Sequence, residues 1–256
     1  ELNYTHPVIE KRKQVADPEQ VRNVRAAYYG MVEYLDRQVG QVREAWGRYV
    51  GRRGSEGIFV YTSDHGDQIG ERDLYTKTTL YEGSCRIPLI WEGSNIRSGC
   101  RSVTPANITD IGPTLCGMAG AVAPPRHDGM NLLPVLLDGN ESPDRAVFSE
   151  TYRLDVDRPG CMVRKGPWKM ITYHGMEEYD LLFNLDEDPH ELCNILDAHQ
   201  EKAAELSELI YRDWTPAEIP MAVKQKGDHI ALMGRWCKAV QPEENEQWQP
   251  PNFVVD

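Results

Sequence analysis

No stretch of this sequence is apolar for long enough to cross a bilayer. Its longest apolar runs, such as Ile87-Pro88-Leu89-Ile90-Trp91, fall far short of the roughly 20 residues that a spanning helix needs. A basic excess is also missing: Lys and Arg number 28 against 40 Asp and Glu, a formal net charge of −12. A surface of that sign repels phosphate backbones and excludes general nucleic-acid binding. The six cysteines, at 85, 100, 116, 161, 193 and 237, include no Cys-x-x-Cys pair. They read as scattered small hydrophobes, not as a disulfide frame or a set of zinc ligands. No basic segment followed by an apolar stretch opens the chain, so no signal peptide is visible, and the first residue is Glu1, not Met. Asn-x-Ser/Thr triplets at Asn3, Asn107 and Asn140 favour secretion only weakly. The compartment is therefore undecided.

There is ample material for a core. Hydrophobic residues make up 40% of the 256, enough for one large domain or two small ones. Over residues 17–48, Asp17, Pro18 and Gln20 form a helix start. Val21, Val24, Tyr28, Met31, Val32, Leu35, Val39, Val42 and Trp46 then recur at three- and four-residue steps, until Gly51-Arg-Arg-Gly54 ends the pattern. Gly57-Ile-Phe-Val-Tyr-Thr62 is a continuous β-rich run that reads as a buried parallel strand, and Arg86–Trp91 as a second. A long polar loop over 67–84 separates them. Asp110 and Pro113 open a short helix stopped by Gly120, and residues 121–145 read as a Pro-, Gly- and Asp-rich linker. Beyond it, Ala146–Tyr152, Cys161–Thr172 and Tyr179–Leu185 predict short strands of an antiparallel sheet with a hairpin turn at Lys165-Gly166. An amphipathic helix follows over 197–214, and then an irregular Trp- and Pro-rich tail from 215 that suits a contact between subunits of a homo-oligomer.

Chemistry concentrates where the first predicted strand ends, at Ser63-Asp64-His65-Gly66. Polar clusters at the carboxyl ends of parallel strands are where α/β folds place sites. A carboxylate beside an imidazole suits a divalent cation, although capping and loop hydrogen bonds account for the two residue types equally well. Lys77, twelve residues on, would neutralise an anionic oxygen beside such an ion. Taken alone, it reads as a surface lysine. Asp67, Glu71, Arg72 and Asp73 read as a solvated polar loop.

The wider pattern changes that balance. From Tyr61 to Trp91 the chain carries a strand, Ser63-Asp64-His65-Gly66, the step Gly70-Glu71, Lys77, the pair Tyr81-Glu82 and Arg86-Ile87-Pro88-Leu89. This region closely resembles the second signature of the type I sulfatases, of the alkaline phosphatase superfamily. Arg25–Gly40, Thr109–Leu115, Met162–Lys169 and Leu182–Glu191 are similar to other segments of that family, so the resemblance spans roughly residues 20 to 200. Gly70-Glu71-Arg72 and Glu82-Gly83-Ser84 lean toward the choline-sulfatase branch, whereas Asp73 and Thr76 depart from the Gly and Gly- or Trp-like choices common there.

The resemblance implies an alkaline-phosphatase-like α/β sandwich, partial here, in residues 1–145, with a small antiparallel sheet and helix in 146–256. It implies that Asp64 and His65 ligate one divalent cation, Ca2+ ahead of Mg2+ or Mn2+, and that Lys77 contacts the sulfate and bridging oxygen of a small-molecule sulfate ester. The family nucleophile is a formylglycine made within Cys/Ser-x-Pro-x-Arg, and no such run exists in this sequence. Two further Asp ligands and an acid histidine are absent too. His6-Pro7 invites the acid role, but its distance from the helix at 17 suits an ordinary segment. The expected activity is therefore sulfuric ester hydrolysis, with the nucleophile outside this chain and none by the chain alone. The alternatives are a phosphonate or phosphodiester monoester hydrolase and a non-catalytic relative.

Overall fold

The computed structural model describes residues 3–153 and 158–240. Its contacts divide the chain into two compact units, Glu1–Trp214 and Thr215–Asp256. The first unit opens with a single helical turn, α1 (Pro7–Glu10), and the long α2 (Pro18–Arg53). Asp17 caps α2 by accepting from the backbone N–H groups of Glu19 and Gln20, both at 2.9 Å, while the Gln20 side chain accepts from the Asp17 N–H. That reciprocal box satisfies donors that a helix start otherwise leaves open. The helix ends where Gly54 turns left-handed, φ +57°. None of its residues is buried, and the predicted apolar stripe, with Met31, Val32, Leu35 and Val42, stands exposed among the described residues.

The predicted strand at 57–62 forms as β1 (Ile58–Thr62), but it is half-buried and pairs antiparallel with β4 (Leu89–Gly93), Ile58 opposite Gly93 and Thr62 opposite Leu89. The expectation of a buried parallel strand over 57–62 is thus corrected. A continuous apolar run reports what covers a strand's faces; it carries no information on a neighbour's direction. The supposed polar loop between them is also structured. It holds a two-residue hairpin, β2 (Gln68–Ile69) with β3 (Tyr75–Thr76), and one turn of helix, α3 (Glu82–Cys85). Its Leu74, Leu80 and Tyr81 are core residues.

After α4 (Ile111–Met118), the later half of the supposed linker is anchored, while residues 121–129 are mostly exposed. Leu132 and Val135 are buried, and Arg145 grips the buried Asp110 carboxylate through both terminal nitrogens, at 2.6 and 2.7 Å. Proline and glycine signal irregular backbone there, not an absence of contacts. The Asn107 side chain, predicted as a glycosylation candidate, caps the turn before α4 and donates to the Phe148 carbonyl at 2.8 Å.

The predicted antiparallel sheet forms with four strands, β5 (Ala146–Arg153), β6 (Arg158–Lys165), β7 (Trp168–Tyr173) and β8 (Leu181–Asn184), in that order. The run over 161–172 holds two strands joined at the expected Lys165-Gly166 turn, with Gly166 at φ +57°. Helix α5 (Gln200–Asp213) lays Ala203, Leu206 and Ile210 against it. Ile171, Tyr173, Leu181 and Phe183 from the sheet share one core with Val8, Ile9, Leu74, Leu80 and Tyr81, so the amino-terminal turn and the 74–81 segment are packed on the carboxyl-terminal sheet.

His6 belongs to this core and not to a catalytic site. Its Nδ1 accepts the Val8 N–H at 3.2 Å, capping α1, and its ring lies 4.8 Å from that of Tyr173. Burial lowers its pKa to about 4, with Glu178 opposing only weakly. The unfolded chain binds this proton near pH 6.5 and the folded chain only near 4. The neutral ring's contribution is therefore complete above pH 6.5 and is lost as pH falls toward 4, up to about 3 kcal/mol. Urea unfolding of wild type and His6→Asn at both ends of that window should show the stability difference between them shrinking or reversing in acid. A constant difference would refute it.

In the second unit, a turn at Pro216–Glu218 leads into α6 (Ile219–Val240). The expected irregular tail is thus a helix as far as Val240, since Ala, Met, Leu, Lys and Gln favour helix strongly enough to carry Gly227 and Gly234. The Trp- and Pro-rich residues 241–256, on which the subunit-contact expectation mainly rests, lie outside the described residues. Among the described residues no helix is long and apolar enough to cross a membrane, and all six cysteines are free thiols.

Candidate functional site

Three residues singled out from the sequence come together. Asp64 and His65 follow β1 directly, and the β2–β3 hairpin, pairing Gln68 with Thr76, doubles the chain back so that Lys77 returns to the strand end. The Lys77 Nζ lies 2.7 Å from His65 Nε2, and Asp64 Oδ2 lies 3.3 Å from the same nitrogen. The spacing of twelve residues is that of a hairpin whose two arms carry interacting groups.

The imidazole is oriented from behind. Its Nδ1 lies 2.9 Å from the Gly66 carbonyl. A carbonyl can only accept, so Nδ1 carries the proton and the Nε2 lone pair faces the Lys77 ammonium. Asp64 is 81% exposed, and its Oδ1 accepts the His65 N–H at 3.0 Å. Desolvation pushes its carboxyl up, but His65, the local backbone donors and Lys77 together outweigh this and hold it below the usual carboxylate range. It is thus an anion at neutral pH. A hard oxygen and an imidazole nitrogen 3.3 Å apart are donors of the kinds that would suit a divalent ion. The lone pair already faces a cation, the ammonium. The donor chemistry therefore fits a divalent metal. Among the described residues no cluster of three or more His, Cys, Asp or Glu side chains is placed to hold one.

The strand end is held by close backbone packing. The Gly66 N–H donates to the Ser84 carbonyl at 2.8 Å, and a Cβ on Gly66 would lie 2.3 Å from the Gly83 carbonyl oxygen. Only glycine allows that approach. Buried Gln68, Thr79 and Ser84 tie the two segments further, Thr79 Oγ1 lying 3.0 Å from Gln68 Oε1 and 3.2 Å from Ser84 Oγ. Glycine next to Ser-Asp-His was legible as a turn; its partner at 83 was not.

The loop is less solvated than its composition suggests. Asp67 accepts from Tyr28 Oη at 3.5 Å, and Glu71 accepts the Ile69 N–H at 2.7 Å and faces Arg25 at 3.4 Å. Arg72 is buried: its guanidinium stacks 4.1 Å from the Tyr81 ring centroid and pairs with Glu191 at 3.1 Å. Reading Arg72 as a solvated side chain is therefore corrected. An arginine covers apolar and aromatic surface with its planar face while its edge bonds a carboxylate.

Behind the loop is a buried ionic network that sequence reasoning missed. Lys169 on β7 is fully buried, its Nζ 2.8 Å from Glu82 Oε1 and 2.8 Å from Glu191 Oε1. Glu191 Oε2 also accepts the Glu82 N–H at 2.8 Å, and Arg164 approaches Glu82 at 3.4 Å. Burial alone would lower the Lys169 pKa, but Glu191 and Glu82 outweigh it and raise it. Burial likewise pushes Glu82 up, and Lys169, Arg164 and Arg86 overcome it and hold it down. The signal was a lysine inside the apolar run Trp168–Ile171, a position with no solvent to reach.

Known proteins bear on this arrangement. Residues 2–121 match the sulfatase family, and residues 70–213 match the carboxyl-terminal region of N-sulphoglucosamine sulphohydrolase. A choline-sulfatase of Rhizobium meliloti is 30% identical over 221 residues, 85% of this chain and 42% of that protein. Arylsulfatase K of Danio rerio is 32% identical over 197 residues, 75% of this chain and 37% of that protein. The solved structure of BT4656 in complex with its substrate D-glucosamine-2-N,6-O-disulfate superposes with a TM-score of 0.57 at 28% identity, covering 63% of this chain and 36% of that one. This chain thus spans less than half the length of the relatives it matches. Its fold is alkaline-phosphatase-like, mixing helices with small antiparallel sheets. With Asp64-His65-Gly66 at a strand end, a lysine folded back onto it and matches running from residue 2 to residue 213, the chain belongs to the sulfatase family.

Proposed function

We propose that this chain supplies part of the active site of a sulfuric ester hydrolase. The observation that carries the reading is the convergence of Asp64, His65 and Lys77, with Nζ to Nε2 at 2.7 Å and Oδ2 to Nε2 at 3.3 Å. In this reading residues 1–145 carry the groups that meet cation and anion, and the sheet of residues 146–184 buttresses them. Membership of the family implies a divalent metal and a formylglycine. Asp64 Oδ2 and His65 Nε2 would hold the metal, and Ca2+ is the ion we assign, because an exposed carboxylate invites the oxygen-rich coordination that Ca2+ prefers. When bound, the metal supplies charge stabilisation to the oxygens of the transferring group.

The chain's own groups then have separate tasks. Gly66 holds His65 in the Nδ1–H tautomer, so Nε2 stays a donor of electrons. Lys77 presents its ammonium to an anionic sulfate oxygen and steadies the bridging oxygen as it takes up charge. The substrate class is a small-molecule sulfate ester. The choline ester of one relative and the sulfated glucosamine bound by BT4656 are the two starting points. The test is release of inorganic sulfate from choline sulfate, an aryl sulfate and a sulfated glucosamine by the polypeptide as its cell makes it, with phenyl phosphonate as competitor. Preferential sulfate release supports the reading. Faster phosphonate turnover moves it to the monoester hydrolase class, and turnover of neither leaves a non-catalytic relative.

A further inference from the structure

We propose that Arg12 is a positioning residue for Lys77, and that the segment over residues 12–14 acts as a strap across the lysine's loop. The inference rests on the hydrolase reading, which is what gives Lys77 an anion to meet.

The loop needs holding. Arg72, Asp73, Thr76 and Thr78 all have positive φ, at 56°, 59°, 64° and 74°. For threonine this region is crowded by the branched β-carbon, and such a backbone persists only where its surroundings over-determine it. Lys77 therefore sits between two strained threonines, with its side chain exposed.

Two sets of bonds from outside the loop meet this strain. The Gln14 N–H donates to the Asp73 carbonyl at 2.7 Å, fixing the start of the strained stretch. The Arg12 guanidinium fixes its end: it donates to the Lys77 carbonyl at 2.8 Å, to Thr78 Oγ1 at 2.6 Å and to the Thr78 carbonyl. One planar fork thus spans two consecutive peptide groups and a side chain, a geometry that an ammonium cannot copy. The strap is itself anchored, because Val8 and Ile9 lie in the core and His6 caps the turn before it. The Arg12 bonds to the carbonyls of Lys77 and Thr78 hold the backbone on which the lysine is carried, so its action on chemistry runs through residue 77.

A double-mutant cycle on the native-length polypeptide tests this, read as kcat/KM for sulfate ester together with amide hydrogen exchange of residues 76–79. Arg12→Ala should lower kcat/KM about tenfold or more, mostly in kcat, since a small displacement of a catalytic cation is expensive. In a Lys77→Ala background the same change should cost less than about twofold, because coupled sites are not additive. Arg12→Lys should recover part of the loss, and exchange at residues 76–79 should rise about tenfold in Arg12→Ala. Equal losses with and without Lys77, or wild-type activity in Arg12→Ala, would overturn the proposal. If wild type hydrolyses no ester at all, the hydrolase reading fails, and exchange alone decides: unchanged exchange overturns the strap, and raised exchange upholds its hold on residue 77.

Discussion

Replacing Lys169 with methionine should cost about 3–5 kcal/mol of stability, measured by urea unfolding at neutral pH. The ammonium is completely buried between two carboxylates, 2.8 Å from each, and Glu191 is completely buried as well. Removing the cation leaves Glu82 and Glu191 facing one another in a low-dielectric interior. Arg164 and Arg72, at 3.4 and 3.1 Å, each compensate only one of them. The chain must then take up a proton or open the network, and either is costly. Lys165→Met is the control. Its partner Glu205 lies at a comparable 2.7 Å, but both side chains are about one-third exposed, so the loss should stay below about 1 kcal/mol. Equal losses at the two lysines would mean that burial does not set the value of these pairs.

The same substitution should reach the candidate site. Glu82 opens α3, whose Ser84 carbonyl accepts the Gly66 N–H, and the Gly66 carbonyl in turn orients His65. Loosening Glu82 therefore frees the backbone against which the strand end is packed. This chain of contacts also explains why a glutamate beside Tyr81, a lysine inside a strand and a glutamate after Pro189 sit within the segments that resemble the family. They join the loop bearing Lys77 to the carboxyl-terminal sheet, and none of them needs to touch a substrate.

What the sequence revealed and what it hid follow from the range of the interactions. The capping box at Asp17, the hairpin at Gly166 and the apolar face of α5 depend on residues within a few positions of one another, and pattern reading reached them. Asp64, His65 and Lys77 were found because they fall on the sulfatase-like pattern from Tyr61 to Trp91, while the small hairpin that brings them together was read as a polar loop. The Glu82–Lys169–Glu191 network spans more than a hundred residues of sequence, and no local pattern encodes such a pairing. Arg12 escaped for a second reason. It bonds mainly to backbone carbonyls, which every residue has, so nothing in the sequence marks their positions. The direction of β1's pairing escaped because apolar composition is blind to polarity of the neighbouring strand.

Lys77→Ala should lower kcat/KM for sulfate ester by about 10²–10³-fold, the range found when one preorganised donor to a developing oxyanion is removed. Its effect on stability should stay within about 0.5 kcal/mol, since the side chain is exposed and the imidazole it meets remains satisfied at Nδ1. That separation of activity from stability distinguishes Lys77 from Lys169, for which the two losses should run together. Lys77→Arg should not restore the rate. A guanidinium is larger and planar, and its charge is spread across a fork, so it cannot place the same compact charge on one sulfate oxygen. Parallel assays of kcat/KM and thermal midpoint on the three variants check this. An activity within about threefold of wild type in Lys77→Ala would remove the lysine from the chemistry. It would leave the hairpin as a scaffold for Asp64 and His65 alone, and those two would then have to supply, with the cation, all of the charge stabilisation that this chain brings to the sulfate.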